Sequence, residues 1–146
     1  MKKLVFLILI LIAMTMDSQD LKKYQWQNRI VLVLSDDETN KNFKTQIESL
    51  KAASAGCAEL KLVLYQVLPN QVTLHHFEAA DKKPSPNSSD LYKEFMRSKD
   101  SFKFVLIGLD GSIKKEQSTI METEELFSII DGMSIRQAEM KRKNES

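Results

Sequence analysis

The stretch FKFVLIGLDGSIKKEQSTIMETEELFSIIDGMSIRQAEM, residues 102–140, decides the fold. Phe102, Phe104 and Leu106 alternate with Lys103, Val105 and Ile107, so one face of an extended segment running to Leu109 is apolar and the other is mixed. That is the pattern of a strand covered on at least one side. Asp110-Gly111 supplies the φ > 0 positions of a tight turn. Ile113 to Gln117 then forms a return strand, charged enough to lie at a sheet edge without recruiting another chain. Behind the acidic turn Glu122 to Glu125, Leu126, Phe127, Ile130 and Met133 recur at helical spacing. The reading is a β-hairpin followed by a helix. No stretch carries a complete set of nucleophile, base and orienting group.

Upstream, Lys2 and Lys3 precede the apolar run Leu4 to Met14, which is too short to span a bilayer and ends in Thr15, Asp17 and Ser18. Residues 1–18 therefore read as a secretory signal peptide, and the mature protein is expected to be exported, periplasmic or secreted, with no membrane span after cleavage. No A-x-A triplet marks the cut, and cleavage after Ser18 puts Met16 where a small residue is usual. An uncleaved membrane anchor is the alternative. Of the 21 basic and 20 acidic side chains, residues 1–18 hold two lysines and one aspartate, which leaves the mature chain balanced. That balance argues against a duplex nucleic-acid partner, which needs a concentrated basic surface. The remaining length suits one domain, 19–140, followed by a basic tail, 141–146. Cys57 is the only cysteine, so no intrachain disulfide can form and packing alone holds the domain.

Within that domain, Arg29 to Leu34 runs unbroken through Ile30, Val31, Leu32 and Val33, as a central strand buried on both faces does. The lead-in residues Leu21, Tyr24 and Trp26 are apolar, and Trp26 is expected to cover one end of the core. Phe43, Ile47 and Leu50 lay one stripe of a helix from Thr39 to Ala53 on the sheet, with Gly56 ending it. Ser35, Asp36, Asp37 or Thr39 would cap its first turn, a better account of the three successive acids than a cation site. Leu60 to Leu68 is a second buried strand, which makes a βαβ unit with parallel strands. Val72 to Phe77 adds a short extended piece, in which His75 and His76 face opposite ways, exposed, and cannot share a metal ion. The connector DKKPSPNSS, residues 81–89, carries no apolar side chain. Ser89 or Asp90 caps a helix with Leu91, Tyr92, Phe95 and Met96 on one stripe. After Gly132, Ser134 with Gln137 fits a capping box that opens a last helix, Ile135 to about Lys143.

The order β, α, β, α, β, β, α with an extra C-terminal helix implies an α/β, thioredoxin-like layout. It has a mixed sheet of about four strands, a parallel pair plus an antiparallel hairpin, with helices on both faces. YQWQNR before the first strand, FVLIGLDGSIK, and ELFSIIDGMSIRQAEM resemble the signature segments of the domain of unknown function family 4174. IDGMSIRQAEM is similar to that family's I-D-x-M-x-x-R-x-x-E-M pattern at Ile130, Asp131, Met133, Arg136, Glu139 and Met140, with Ser134 where members commonly have proline. The resemblance spans about Leu21 to Met140. It extends to domains of vertebrate sushi-repeat and matrix-associated coiled-coil-domain proteins, and implies an exported module whose partner is a protein or a surface polymer. Trp26, Arg29, Asp131, Arg136 and Glu139 are the candidate contact or family-motif positions.

Working thioredoxins carry their dithiol after the first buried strand, where the helix N-terminus lowers a thiol pKa. Here Ser35 to Glu38 holds no sulfur, and Asp100, Ser101 and Phe102 stand where a cis-proline would face it. The expectation is therefore a non-catalytic module without cofactor or metal. The alternative is a one-cysteine thiol oxidoreductase or peroxidase using Cys57. Arg136 and Glu139 share a helix face, with Ile135 and Met140 expected to pack that helix down. Arg136 is expected to form an ordinary ion pair with Asp131 or Glu139, or else to stand beside an aromatic such as Trp26 as an interface anchor.

Overall fold

The computed structural model describes residues 19–77, 89–97 and 99–145, so the readings placed on residues 1–18 and 81–88 lie outside it. After a single turn α1 (Gln19–Lys22), the chain forms β1 (Arg29–Ser35), α2 (Lys41–Ala52), α3 (Ser54–Glu59), β2 (Leu62–Leu68) and β3 (Gln71–His76). There follow α4 (Ser89–Phe95), β4 (Phe102–Ile107), β5 (Ile113–Gln117), α5 (Thr123–Asp131) and α6 (Ser134–Glu145). The sheet has five strands in the order β3-β2-β1-β4-β5, one more than the sequence reading counted. The difference is β3. The piece expected at Val72 to Phe77 is a full edge strand, paired antiparallel with β2 across a two-residue turn at Pro69-Asn70. β1 and β2 pair in parallel, from Arg29 opposite Leu62 to Leu34 opposite Val67. β4 lies antiparallel to β1 on one side and to β5 on the other. The thioredoxin-like arrangement follows from this order, with β1 buried along its whole length.

Strand alternation separates two cores. Val31, Val33, Leu62, Leu64, Phe104 and Leu106 face α2, α3 and α5, where Phe43, Leu50, Cys57, Leu126 and Ile130 meet them. Ile30, Leu32, Val63, Tyr65, Val105 and Ile107 face α1 and α4, where Leu21, Leu91 and Phe95 close the opposite layer. Lys103 sits on this second face and is buried, not an exposed interruption. It donates to the Phe95 carbonyl at 2.9 Å and lies 2.8 Å from a Glu116 carboxylate oxygen. His75 and His76 do point to opposite faces, yet both are half-buried and not exposed. The Tyr24 hydroxyl lies 3.4 Å from His76 Nε2, and the His75 ring meets Phe77 edge-on.

Several local expectations are corrected by competing interactions. Asn40 caps α2 by accepting the Phe43 N–H, because Asp37 is already occupied with the Thr39 N–H and hydroxyl. Gly56 does not end α2. It lies inside α3, where a Cβ would stand 2.6 Å from the Phe127 ring, and Lys61, at φ 55°, makes the left-handed turn into β2. Of Asp110-Gly111, only Gly111 takes a positive φ, 84°. Asp110 instead receives the Ser112 N–H, the Ser112 hydroxyl and Lys114 Nζ. Ser134 does not stand outside α6 as a capping-box residue. It is the first helical residue, and the Gln137 N–H bonds the Met133 carbonyl.

Gln46 was not singled out by the sequence, yet it ties the two ends of one face together. Its amide nitrogen donates to the Met121 carbonyl at 3.0 Å and its oxygen accepts the Met121 N–H at 2.7 Å, all buried. Gln46→Met keeps the volume and leaves both backbone groups unpaired, which costs about 2–4 kcal/mol. Denaturant unfolding of the variant is expected to show that loss, and a loss near zero would mean that the loop before α5 rearranges to satisfy Met121.

Candidate functional site

At the N-terminal end of β1 the chain turns a charged side chain into its own interior. Arg29 is 1% exposed. Its Nη1 donates to the Leu60 carbonyl at 2.9 Å and lies 3.5 Å from Glu139 Oε2. Glu139 is 11% exposed, and its other oxygen lies 3.4 Å from Lys61 Nζ. Arg136 is 8% exposed and spends its three nitrogens on three carboxylates. Nε reaches Asp131 at 3.2 Å, Nη1 reaches Glu139 at 3.4 Å, and Nη2 reaches Glu59 at 3.3 Å. Four of the five residues picked out by the sequence, Arg29, Asp131, Arg136 and Glu139, therefore form one cluster.

The fifth does not join it. Trp26 is 66% exposed and makes no cation–π contact among the described residues, where the cation over a ring is Lys23 over Tyr24. The expectation that Trp26 covers a core end is overturned, and of the two settings expected for Arg136 the structure holds the ion pair, with both Asp131 and Glu139, and not the place beside Trp26. Trp26 adopts φ 68°, uncommon for a bulky side chain, and its N–H bonds the Leu109 carbonyl at 2.6 Å. The expectation for α6 is corrected too. Ile135 is exposed and Met140 only half-buried, so the buried residue of this helix is Arg136. Its ion pairs are not the ordinary exposed kind.

The electrostatics follow the geometry. Burial is the largest influence on Glu139 and raises its pKa, but Arg29, Lys61 and Arg136 together more than reverse this and hold it below the ordinary 4.5. Burial likewise lowers the Arg136 pKa, and its bonds to Asp131, Glu139 and Glu59 outweigh that and raise it. Arg29, with less carboxylate around it, has its pKa lowered by burial in spite of Glu139.

The opposite end of β1 is where a thioredoxin would do its chemistry. The Ser35 hydroxyl donates to the Asp37 carbonyl at 2.7 Å and also lies 3.2 Å from the Ser101 carbonyl. The Asp36 N–H bonds the same Ser101 oxygen. This loop closes on the segment before β4 with no sulfur in it. Cys57 is 0% exposed, in the middle of α3 and not at a helix end, with its thiol 3.7 Å from the Leu50 carbonyl. Burial pushes that thiol up to about 12.

Comparison with known proteins bears on both ends. The profile of a domain of unknown function, DUF4174, matches residues 20–139. The chain belongs to the DUF4174 family. The match spans Arg29, Asp131, Arg136 and Glu139, the four residues of the cluster. No curated protein matches the chain. Among solved structures the DUF4174 chain is similar to the reduced 2-Cys peroxiredoxin of Plasmodium vivax. The TM-score is 0.52 at 14% identity, over 82% of this chain and 84% of that one. At that identity the likeness speaks for the fold alone.

Glu59 and Lys61 escaped the sequence reading, since neither lies in a motif and their pairing spans more than seventy residues. The only local signal was Lys61 at the helix-to-strand turn. Because the folded-state pKa of Glu139 is depressed, its contribution to stability is complete above the unfolded value near 4.5 and is lost as pH falls through the lower folded value. Glu139→Gln is expected to cost about 2–3 kcal/mol at neutral pH and to flatten the loss of stability in acid. Thermal unfolding of both proteins across that range checks this, and coincident acid limbs would remove the network from the account.

Proposed function

We propose that this chain is an exported, non-catalytic thioredoxin-like module that binds a protein or a surface polymer through the end of the sheet that carries Arg29. The observation that carries the reading is the state of Cys57. A thiol with no exposure and a pKa near 12 has almost no thiolate at neutral pH, and thiolate is the species that attacks peroxides and disulfides. A one-cysteine peroxidase on this chain would need α3 to leave the core. Export rests on the basic and apolar character of residues 1–18. Among the described residues, no helix is long and apolar enough to cross a membrane.

The choice of end rests on exposed apolar surface. Trp26, Ile113 and Ile135 are the large hydrophobic side chains left exposed among the described residues. All three border the β4–β5 turn. Trp26 is bonded to Leu109, Ile113 follows the turn, and Ile135 shares a pocket with Leu109 and Asp110. A tryptophan held outward, with two exposed isoleucines at the same turn, is a side chain typical of protein contacts.

Treating the mature protein, residues 19–146, with a thiol reagent and with hydrogen peroxide tests the reading. Cys57 is expected to react at least about a thousandfold more slowly than in denaturant, through opening of the fold alone. Rapid thiol loss accompanied by peroxide turnover would overturn the non-catalytic assignment.

A further inference from the structure

The guanidinium of Arg29 uses only one of its three nitrogens. Nη1 is taken by Leu60 and Glu139, while Nε and Nη2 are buried without a partner among the described residues. These two lie along one edge of the planar group and present two parallel N–H donors, the fork that receives two oxygens of a carboxylate, sulfate or phosphate. Arg29 also lines a pocket of about 170 Å³, walled by Leu109, Asp110, Lys114, Met133, Ser134 and Ile135. Nη1 is turned towards Leu60 and Glu139, which leaves the Nε–Nη2 edge as the part of the guanidinium that could meet an anion from this pocket once the side chains over it move.

The start of α6 also borders this pocket, through Ser134 and Ile135. Ser134 opens the twelve-residue α6, and the first N–H of this helix to bond back along the chain is that of Gln137, to Met133. The preceding N–H groups, at Ser134, Ile135 and Arg136, are those a helix leaves without intrahelical acceptors, and its dipole adds positive potential at that point. Lys114 supplies a further cation. The one acid in the wall, Asp110, is held ionised, with a pKa of about 2, by the Ser112 N–H and by Lys114, whose Nζ stands 2.9 Å from it and offsets its charge. Glu139 lies behind Arg29 on the Nη1 side.

We infer that this pocket binds a small oxyanion, with two oxygens on Arg29 Nε and Nη2 and the remainder directed at the start of α6. The size admits a free anion, or the carboxylate end of a larger ligand, and the apolar walls Leu109, Met133 and Ile135 suit the carbon next to that group. Entry requires the Lys114 side chain or the Met133–Ile135 turn to move aside, because Nε and Nη2 are closed to solvent. The inference rests on assigning binding to this end of the sheet. It does not depend on the state of Cys57.

Titration of the folded mature protein with acetate, sulfate and inorganic phosphate, followed by nitrogen-15 NMR, tests it. Saturable binding should shift the Arg29 Nε–H resonance together with the amides of Ser134 and Ile135. Preference for acetate would identify a carboxylate ligand, and preference for sulfate or phosphate a tetrahedral one. Arg29→Lys keeps a donor for Leu60 and Glu139 but removes the fork, and should weaken binding about tenfold or more. Lys114→Glu, at the mouth, should weaken it while leaving the fold intact, and it decides the matter if Arg29→Lys does not fold. Failure of all three anions to saturate, or shifts confined to exposed lysines, would overturn the proposal. Either result leaves the thiol assay to judge the non-catalytic reading separately.

Discussion

Taking a guanidinium out of water costs several kcal/mol unless a carboxylate and further acceptors come with it. Arg29 is taken out of water because it begins a strand buried on both faces, and β1 cannot shift without exposing Ile30 to Leu34. The carboxylate that compensates comes from Glu139, on the last helix, and the carbonyl from Leu60, at the turn into β2. Glu139 in turn brings Arg136, and Arg136 ties together the end of α5 through Asp131 and the end of α3 through Glu59. The position of α6 is thus set by charge, since it has no continuous apolar stripe and its buried residue is an arginine.

This arrangement separates the two ends of the sheet. At the C-terminal end of β1, Ser35, Asp36 and Ser101 satisfy one another in a closed loop. At the N-terminal end, two arginines, two lysines and three carboxylates meet. Asp131, Arg136 and Glu139, within the stretch that matches the family, fall at the second end. The residues there hold the fold, so a change at Arg136 or Glu139 acts on stability first.

The strands were legible because their signals are local. The unbroken Arg29 to Leu34 run and the alternation from Phe102 to Ile107 need no knowledge of what lies opposite. β3 was undervalued because Thr73, His75 and His76 interrupt the apolar pattern, and its edge position tolerates that. The cluster was legible as a set of motif positions but not as a contact, because nothing in the spacing says that Arg29 meets Glu139 across more than a hundred residues. Trp26 and Ile135 were misplaced for one reason. Each is apolar in a segment whose anchoring comes from elsewhere, a backbone bond to Leu109 for the first and the buried Arg136 for the second. Gly56 reads in the sequence as the end of α2 because glycine is a common helix terminator. Its true reason for being glycine is the Phe127 ring pressed against it.

The central claim is that Arg29 and Glu139 stabilise the domain as a unit. A double-mutant cycle tests it most directly, with Arg29→Met, Glu139→Gln and the pair compared by denaturant unfolding at neutral pH and moderate salt. The account predicts strong coupling, about 1.5–3 kcal/mol, with the double variant less destabilised than the sum of the singles. Additivity within about 0.5 kcal/mol would contradict it, and would mean that α6 is held by something other than the buried charge at the start of β1.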